Sequence, residues 1–216
     1  MSRPFRTLDD IGDVRGKRVL VREVLNVPLA DGRVTDDTRL RATVATVAEL
    51  ADKGAMVLVL AHFGRPKGQP NPEMSLARIV QPYSAVLGRP VRFVDWDGAE
   101  AAIATLQPGD IAVLENTRFF AGEEKNAAEV IERIAALGDL YINDAFSAAH
   151  RAHASTEGVA HILPAFAGRA MEAELEALEK ALGNPEHPVA AVVGGAKVST
   201  KLDVLKHLVA KVDHLI

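Results

Sequence analysis

Short apolar runs rich in valine, leucine and isoleucine recur along the chain, separated by more polar segments. The runs lie at residues 18–22, 56–60, 91–94, 111–114, 140–143 and 189–193. Several are almost continuous rather than alternating, which is typical of strands covered on both faces in a parallel sheet. We therefore predict six strands at these positions, and the start of another at 213–216.

Between the runs, apolar residues recur at the three- and four-residue spacing of amphipathic helices. These helical segments lie at residues 36–53, 123–137, 168–182 and about 199–211. Asp36 and Asp37 fall in the first turn of the earliest segment, where negative charge is favoured, and Gly54 follows its end. A further segment, 75–87, contains Pro82, and a proline costs about 3 kcal/mol inside a helix. We therefore predict that regular helix begins only at Pro82.

The alternation of strands and helices indicates an α/β protein with a doubly wound parallel sheet, a Rossmann-like three-layer α/β/α arrangement with right-handed crossovers. A proline-rich break at 183–188 follows a long amphipathic helix. We predict one domain over 1–167, an interdomain helix and linker over 168–184, and the start of a second, similar domain over 185–216. The last part is expected to be incomplete, because a lone strand–helix–strand unit does not bury its own faces.

Composition and charge exclude several classes of protein. The net charge is −4 and no run of Lys or Arg occurs, so a nucleic-acid partner is not expected. The absence of cysteine excludes disulfides and thiol catalysis. The longest apolar stretch, 55–61, is too short to span a bilayer, and the early acidic residues do not fit a secretory signal. We expect a cytoplasmic protein without a membrane partner.

Positively charged or polar side chains follow four of the predicted strands, on the edge where open α/β sheets bind ligands. The set comprises Arg22, Asn26, Arg39, His62, Arg65, Arg118, His150, Arg151 and His153. Any one of them is ordinarily a solvated loop residue, but like charges do not converge without an anion to hold them. Because arginine binds phosphate and carboxylate through two parallel hydrogen bonds, we predict a small ligand that carries one or both groups. With no Cys and no paired carboxylates nearby, the histidines do not indicate a protein-held metal.

A second candidate site follows the strand predicted at 189–193. It comprises Gly194, Gly195, Ala196, Lys197 and Lys201. Glycines after a strand let the backbone approach a ligand, and the two lysines are four residues apart, so one helix face presents both. The motif is neither a Walker A loop nor a dinucleotide fingerprint, and taken alone it also fits a tight strand–helix turn.

Taken together, these motifs resemble the phosphoglycerate kinase family. The matching stretches are 16–22, 25–28, 31–39, His-Phe-Gly-Arg-Pro-Lys-Gly at 62–68, Leu-Glu-Asn-Thr-Arg-Phe at 114–119, 143–146, 149–155 and Gly-Gly-Ala-Lys-Val-Ser at 194–199. The resemblance implies a glycolytic transferase, monomeric at full length. The family transfers a phosphoryl group between 1,3-bisphosphoglycerate and Mg-ADP, giving 3-phosphoglycerate and Mg-ATP.

The resemblance also implies roles for particular residues. The substrate acid would be bound by Asn26, Arg39, His62, Phe63, Gly64, Arg65, Arg118 and Arg151. The nucleotide, ADP or ATP with Mg²⁺, would be bound by Gly194, Gly195, Ala196, Lys197 and Lys201. Arg39, Lys197 and Lys201 would be catalytic, since this reaction needs alignment and charge neutralisation rather than acid–base help. A hinge closure would have to bring these residues together.

Two departures from the family pattern are visible. Val24 stands where the family has an Asp that hydrogen-bonds the substrate, so we expect weaker binding; Glu23 should face the other side of the strand and not substitute for it. The family's adenine pocket and its Mg-holding Asp lie beyond Ile216, so the chain alone is expected not to turn over. The alternatives are a chain that only binds 3-phosphoglycerate, and a different sugar-phosphate enzyme; Lys197 and Lys201 argue against the latter.

Overall fold

A computed structural model describes residues 4–183, 185–194 and 202–216. The chain divides into two compact units, Met1–Glu172 and Ala173–Ile216. The first unit is built around a six-stranded sheet in which every pair of neighbouring strands is parallel. The predicted fold class, an α/β protein with a doubly wound parallel sheet, is confirmed. The domain boundaries predicted at 167 and 184 stay predictions.

Five of the six strands of this sheet have the predicted bounds. The strands of the first unit are β1 (Arg18–Arg22), β2 (Leu29–Ala30), β3 (Arg33–Val34), β4 (Met56–Leu60), β5 (Val91–Val94), β6 (Ile111–Leu114), β7 (Leu140–Asn143) and β8 (Ala165–Ala167). The order in the sheet is β5-β6-β4-β1-β7-β8. The edge strand β8 was not predicted, because three residues with two alanines give little strand signal. Strands β2 and β3 form a separate antiparallel hairpin.

Alternate residues of the central strands enter two different apolar cores, one on each face of the sheet. Val19 and Val21 of β1 pack into one core, and Leu20 between them packs into the other. All three side chains are fully buried. Because both faces are covered, nearly every position of a central strand must be apolar, which explains the continuous runs in the sequence.

Helices cover both faces. They are α1 (Thr38–Ala42), α2 (Val44–Asp52), α3 (Ala77–Leu87), α4 (Ala99–Ile103), α5 (Ala128–Ala135) and α6 (Val159–Ile162). A seventh helix, α7 (Arg169–Leu178), begins in the first unit and ends in the second, where it continues as one π-helical turn, Glu179–Gly183. Helices α1 to α3 supply Leu40, Val47 and Ile79 to the first core. Ile103 of α4 and Ile134 of α5 belong to the second core. Helix α4 was not predicted.

Two predicted helices are shorter than expected. The segment 36–53 is interrupted at Thr43, whose hydroxyl donates to the Leu40 carbonyl at 2.9 Å and lies 2.7 Å from the Tyr83 hydroxyl. Asp36 and Asp37 precede the helix rather than forming its first turn. The segment 123–137 begins with a short 3₁₀ turn and becomes regular helix only at α5, because Asn126 adopts the left-handed conformation (φ 54°) between them.

The prediction that Pro82 opens a helix was wrong, since α3 begins at Ala77 and continues through the proline. Ile79, Tyr83 and Leu87 line the face of α3 that packs into the first core. Full burial of a large apolar side chain contributes about 1.5–3 kcal/mol. Three such side chains outweigh the cost of about 3 kcal/mol that Pro82 imposes on the helix.

The second unit contains β9 (Ala190–Ala191), α8 (Leu202–Val209) and β10 (His214–Leu215), and β9 pairs in parallel with β10. Strand β9 is shorter than the run 189–193 that was predicted. The predicted helix start at 199 lies outside the described residues. Among the helices that the structure describes, none has both the length and the apolar composition needed to cross a bilayer.

Pro82→Ala tests this account of α3. The alanine restores a backbone N–H that can donate to the carbonyl one turn earlier, and it removes the clash between the proline ring and that carbonyl. A smaller opposing effect is that the unfolded chain gains conformational entropy when the proline is removed. We expect the free energy of unfolding, measured by urea denaturation, to rise by about 1–2 kcal/mol. Gln81→Ala, at a neighbouring exposed helix position, should change it by less than about 0.5 kcal/mol. A loss of stability in Pro82→Ala would show that the proline favours this helix.

Candidate anion-binding site

The carboxyl ends of β1, β4, β6 and β7 lie side by side at one edge of the sheet. Arg22, the last residue of β1, is in register with Leu60 of β4 and with Asn143 of β7. Strand β6 pairs with the other side of β4. The loops that follow these four strands are therefore neighbours in space, although they are distant in sequence. This edge is the position expected for a ligand site in an open α/β sheet.

Hydrogen bonds connect four of the predicted substrate-binding residues. The Gly64 N–H donates to Oδ1 of Asn26 at 2.9 Å, and Nη1 of Arg118 donates to the Gly64 carbonyl at 2.8 Å. Arg39 donates through Nη1 to the Asn26 carbonyl. Gly64 has φ 62°, and a Cβ there would lie 2.9 Å from Sδ of Met74, so the position favours glycine. Arg39 thus reaches the same loop cluster as Arg118.

His62 lies among positive charges. Its Nδ1 is 2.8 Å from Nη2 of Arg22. Burial, and then the charges of Arg22, Arg118 and Arg151, lower the pKa of His62 from 6.5 to about 2. The imidazole is therefore neutral at physiological pH, and it adds hydrogen-bonding capacity to the cluster without adding charge.

Arg118 links the remaining arginines to this cluster. Burial lowers its pKa, and the nearby charges of Arg151 and Arg65 act in the same direction. Its Nε forms an ion pair with Oε1 of Glu124 at 3.1 Å. Arg65 and Arg151 are exposed. The structure thus brings His62, Arg65, Arg118 and Arg151 to one edge of the sheet, as the sequence predicted; their part in binding stays a prediction.

Asn116 organises the site but was not predicted as part of it. Its Oδ1 accepts from the N–H groups of Phe63 at 3.2 Å and Arg118 at 3.0 Å. Its Nδ2 donates to the carbonyls of Phe63 at 2.7 Å and Met74 at 2.8 Å. Asn116 is fully buried, so it fixes the loops after β4 and β6 to each other. A polar residue directly after a buried strand was the signal that could have identified it.

Arg22 was predicted to lie at the ligand-binding edge of the sheet, and it does, but its side chain is only 1% exposed. Its Nε donates to Oγ of Ser155 at 3.0 Å, and Nη1 donates to the Glu23 carbonyl. Ser155 in turn contacts the fully buried Glu123. Glu123 and Ser155 were also not predicted as site residues, although Ser155 ends the matching stretch 149–155, because their importance depends on through-space contacts.

Glu23 and Val24 directly follow the last residue of β1, so the prediction that they face opposite sides of the strand stays a prediction. Glu23 is buried, and its burial, together with the neighbouring Asp144, raises the pKa of Glu23 well above its usual value. Val24 is half-buried. Glu23 therefore tends to hold a proton inside the protein, and the expectation that it does not replace the family's carboxylate at position 24 stays a prediction.

The predicted nucleotide site is only partly visible. Gly194 is exposed and follows β9, and a Cβ there would meet nothing within 4 Å. Gly195, Ala196, Lys197 and Lys201 lie outside the described residues. Within residues 4–183, 185–194 and 202–216, no group of three or more His, Asp or Glu side chains is arranged to hold a metal ion.

The fold and the edge residues place the chain in the class of α/β proteins that have an open parallel sheet with a cluster of basic side chains at its carboxyl edge. Comparison with known proteins gives the family. The family model described as phosphoglycerate kinase matches residues 8–216. The chain therefore belongs to the phosphoglycerate kinase family.

Curated relatives and solved structures agree with this family membership. The phosphoglycerate kinase of Novosphingobium aromaticivorans is 76% identical over 212 residues, and that of Zymomonas mobilis is 72% identical over 215 residues. Each match covers 98% of this chain and 54% of the relative, so the chain spans about half the length of these proteins. The structure of phosphoglycerate kinase from Coxiella burnetii has a TM-score of 0.89 at 40% identity, covering 98% of this chain and 54% of that one. The enzyme from Pyrococcus horikoshii has a TM-score of 0.82 at 29% identity, covering 97% and 54%.

The low pKa of His62 predicts acid sensitivity. The unfolded chain binds a proton at His62 below about pH 6.5, whereas the folded chain resists it until about pH 2. The contribution of this residue to stability is therefore complete above pH 6.5 and is lost as the pH falls below that value. His62→Asn should make the decrease in unfolding free energy between about pH 7 and about pH 5 smaller, by about 1–2 kcal/mol.

His161→Asn, which changes an exposed histidine of the same unit, serves as the control. Urea titrations of the parent and both variants at the two pH values make the comparison. If the acid sensitivity of His62→Asn equals that of the parent, His62 titrates normally in the folded protein.

Proposed function

We propose that this chain forms the 3-phosphoglycerate-binding part of a phosphoglycerate kinase and that it also supplies the first residues of the nucleotide site. The observation that carries the proposal is the convergence of His62, Arg65, Arg118 and Arg151 at one sheet edge, with Arg39 attached through Asn26. Family membership supports the identity of the acid, and the division at 167 and 184 is part of the proposal.

The proposed ligand matches the chemistry of this edge. At neutral pH, 3-phosphoglycerate carries a carboxylate and a phosphate on three carbons, and arginine binds both groups through paired hydrogen bonds. The backbone carbonyls and Glu124 occupy only some of the N–H groups of Arg39 and Arg118. Arg65 and Arg151 are exposed at the rim, where they would meet the ligand.

In the proposed reaction, the bond between the C1 carboxyl oxygen of 1,3-bisphosphoglycerate and its phosphorus breaks. A bond forms between that phosphorus and a β-phosphate oxygen of Mg-ADP, giving 3-phosphoglycerate and Mg-ATP. The leaving carboxylate needs no proton, so alignment and neutralisation of charge account for catalysis. We assign that neutralisation to Arg39, Lys197 and Lys201. The Mg²⁺ belongs to the nucleotide substrate in this scheme.

Calorimetry with 3-phosphoglycerate tests the binding half of the proposal. We expect the chain to bind it, and Arg65→Ala and Arg151→Ala each to weaken binding by about tenfold or more, because each removes a charge-assisted contact. Arg92→Ala is the matched control. Arg92 is exposed on β5, with Nη2 3.4 Å from Oδ2 of Asp110, and its replacement should leave the binding of 3-phosphoglycerate unchanged. Glycerol 3-phosphate, which lacks the carboxylate, should bind more weakly in every case.

No detectable binding by the folded parent chain would contradict the proposal, as would equal losses in the site variants and Arg92→Ala. The alternative is a chain that binds 3-phosphoglycerate without turnover. A coupled ATP-forming assay distinguishes it from a catalytic chain when it is run on this chain and on a longer version with the full length of its relatives. ATP formation only by the longer version supports a binding role for the 216 residues alone.

Val24→Asp tests the departure from the family motif. A carboxylate at this half-buried position would accept a hydrogen bond from the substrate, which valine does not. We expect the dissociation constant for 3-phosphoglycerate to fall about 2- to 10-fold. Val24→Ala, which shortens the side chain without adding an acceptor, should produce no gain. Unchanged or weaker binding by a folded Val24→Asp variant would show that the position does not face the ligand.

A further inference from the structure

Arg22 is a fully buried charge whose guanidinium is held from three directions. Nε donates to Oγ of Ser155 at 3.0 Å, Nη1 donates to the Glu23 carbonyl, and Nη2 lies 2.8 Å from Nδ1 of His62. A buried charge is strongly unfavourable without a partner, so this arrangement requires a counter-charge.

Glu123 supplies that counter-charge through Ser155. Its Oε2 accepts from the Ser155 N–H at 3.0 Å, and its Oε1 accepts from the Ser155 hydroxyl. Glu123 is fully buried, and it is the acid whose charge acts most strongly on Arg22. Glu23, the other acid near Arg22, has its pKa raised well above normal by burial and by Asp144, which favours its neutral form.

The contact with Arg22 decides which nitrogen of His62 carries the proton. A guanidinium has only donors, so Nδ1 of His62 must be the acceptor at 2.8 Å. The ring must then be neutral, with its proton on Nε2. Among the described residues, Nε2 makes no hydrogen bond. The charged or titratable groups that act on the ring are Arg22 from β1, Arg118 from the loop after β6, and Arg151 and His153 from the loop after β7.

We propose that Glu123, Ser155 and Arg22 form a buried hydrogen-bond chain that holds His62 as the neutral Nε2–H tautomer, so that His62 offers an anion a donor rather than a lone pair. The three residues are positioning residues, since they act through His62. The tautomer follows from the contacts alone; only its use in binding 3-phosphoglycerate rests on the proposed function.

The chemistry explains why the tautomer matters. With its proton on Nδ1, the ring would present the lone pair of Nε2 to a phosphate or carboxylate and repel it. As an imidazolium, it would add a further positive charge beside Arg118 and Arg151. The neutral Nε2–H form avoids both penalties, and Arg22 selects it by occupying Nδ1.

Nitrogen-15 NMR of the chain labelled at histidine tests this directly. The ring nitrogens of His62 are assigned through the loss of their signals in His62→Gln. In the parent near neutral pH we expect a single tautomer, with Nδ1 unprotonated and Nε2 protonated. In Ser155→Ala, Nε of Arg22 loses its acceptor, and in Glu123→Gln the guanidinium loses its counter-charge. Both variants should lose the single tautomer and show a mixed population.

Ser75→Ala is the matched control, because the Ser75 hydroxyl also donates to a buried glutamate, Glu115, but touches neither Arg22 nor His62. It should leave the His62 tautomer unchanged. An Nδ1–H or imidazolium signal in the parent overturns the proposal. A single, unchanged tautomer in folded Ser155→Ala or folded Glu123→Gln also overturns it. If Ser155→Ala does not fold, Glu123→Gln decides the question by the same criterion, and the parent spectrum decides it if neither variant folds.

Titration of the same samples with 3-phosphoglycerate separates this inference from the proposed function. In Ser155→Ala and Glu123→Gln, the mixture of His62 tautomers should be accompanied by about tenfold weaker binding of 3-phosphoglycerate. In Ser75→Ala, binding should be unchanged. Absence of binding in the parent would contradict the proposed function, while the parent tautomer and its response to Ser155→Ala would still decide whether the hydrogen-bond chain exists.

Discussion

Mutual repulsion among the positive side chains at the carboxyl edge of the sheet is the constraint that the rest of the site must satisfy. The protein holds two of these groups, Arg118 and Arg22, with acceptors of its own. Arg118 donates to the Gly64 carbonyl and faces Glu124, and Arg22 is compensated from within by Glu123. The remaining repulsion and the burial of charge still cost stability in the absence of a ligand, and the two apolar cores beneath the site offset that cost.

The sheet makes this convergence possible. Each loop at the edge begins at the end of a buried strand, so its first residues are fixed by the parallel ladder and not by the loop itself. Asn116 then binds the loop after β4 to the loop after β6 through both ends of its amide. An anion that arrives at this edge meets donors already aligned, and less conformational entropy is lost on binding than if the loops had to become ordered.

The sequence predicts the fold well where one physical requirement dominates. Burial on both faces forces continuous apolar runs, so the four inner strands β1, β4, β6 and β7 were located to the residue, and the edge strand β5 was located with them. Helix ends were predicted less well, because distant contacts determine them: the hydroxyl of Tyr83 meets Thr43 at the break between α1 and α2, and core packing carries α3 through Pro82. The hairpin of β2 and β3 carries a local signal, the Asp31-Gly32 turn in the left-handed conformation, but each of its strands is only two residues long, which is too short for an apolar pattern.

The candidate site shows the same division between local and non-local information. Arg65, Arg118 and Arg151 were identified because each follows a strand, and that position can be read from the sequence. Glu123 and Ser155 could not be identified in this way, since they act only by closing a charge pair with Arg22 from another part of the chain. The side chains that would contact a ligand can thus be identified from local motifs. The side chains that determine the charge and tautomer of the site cannot, because the partners of a buried ion are close to it in the folded protein but distant in sequence.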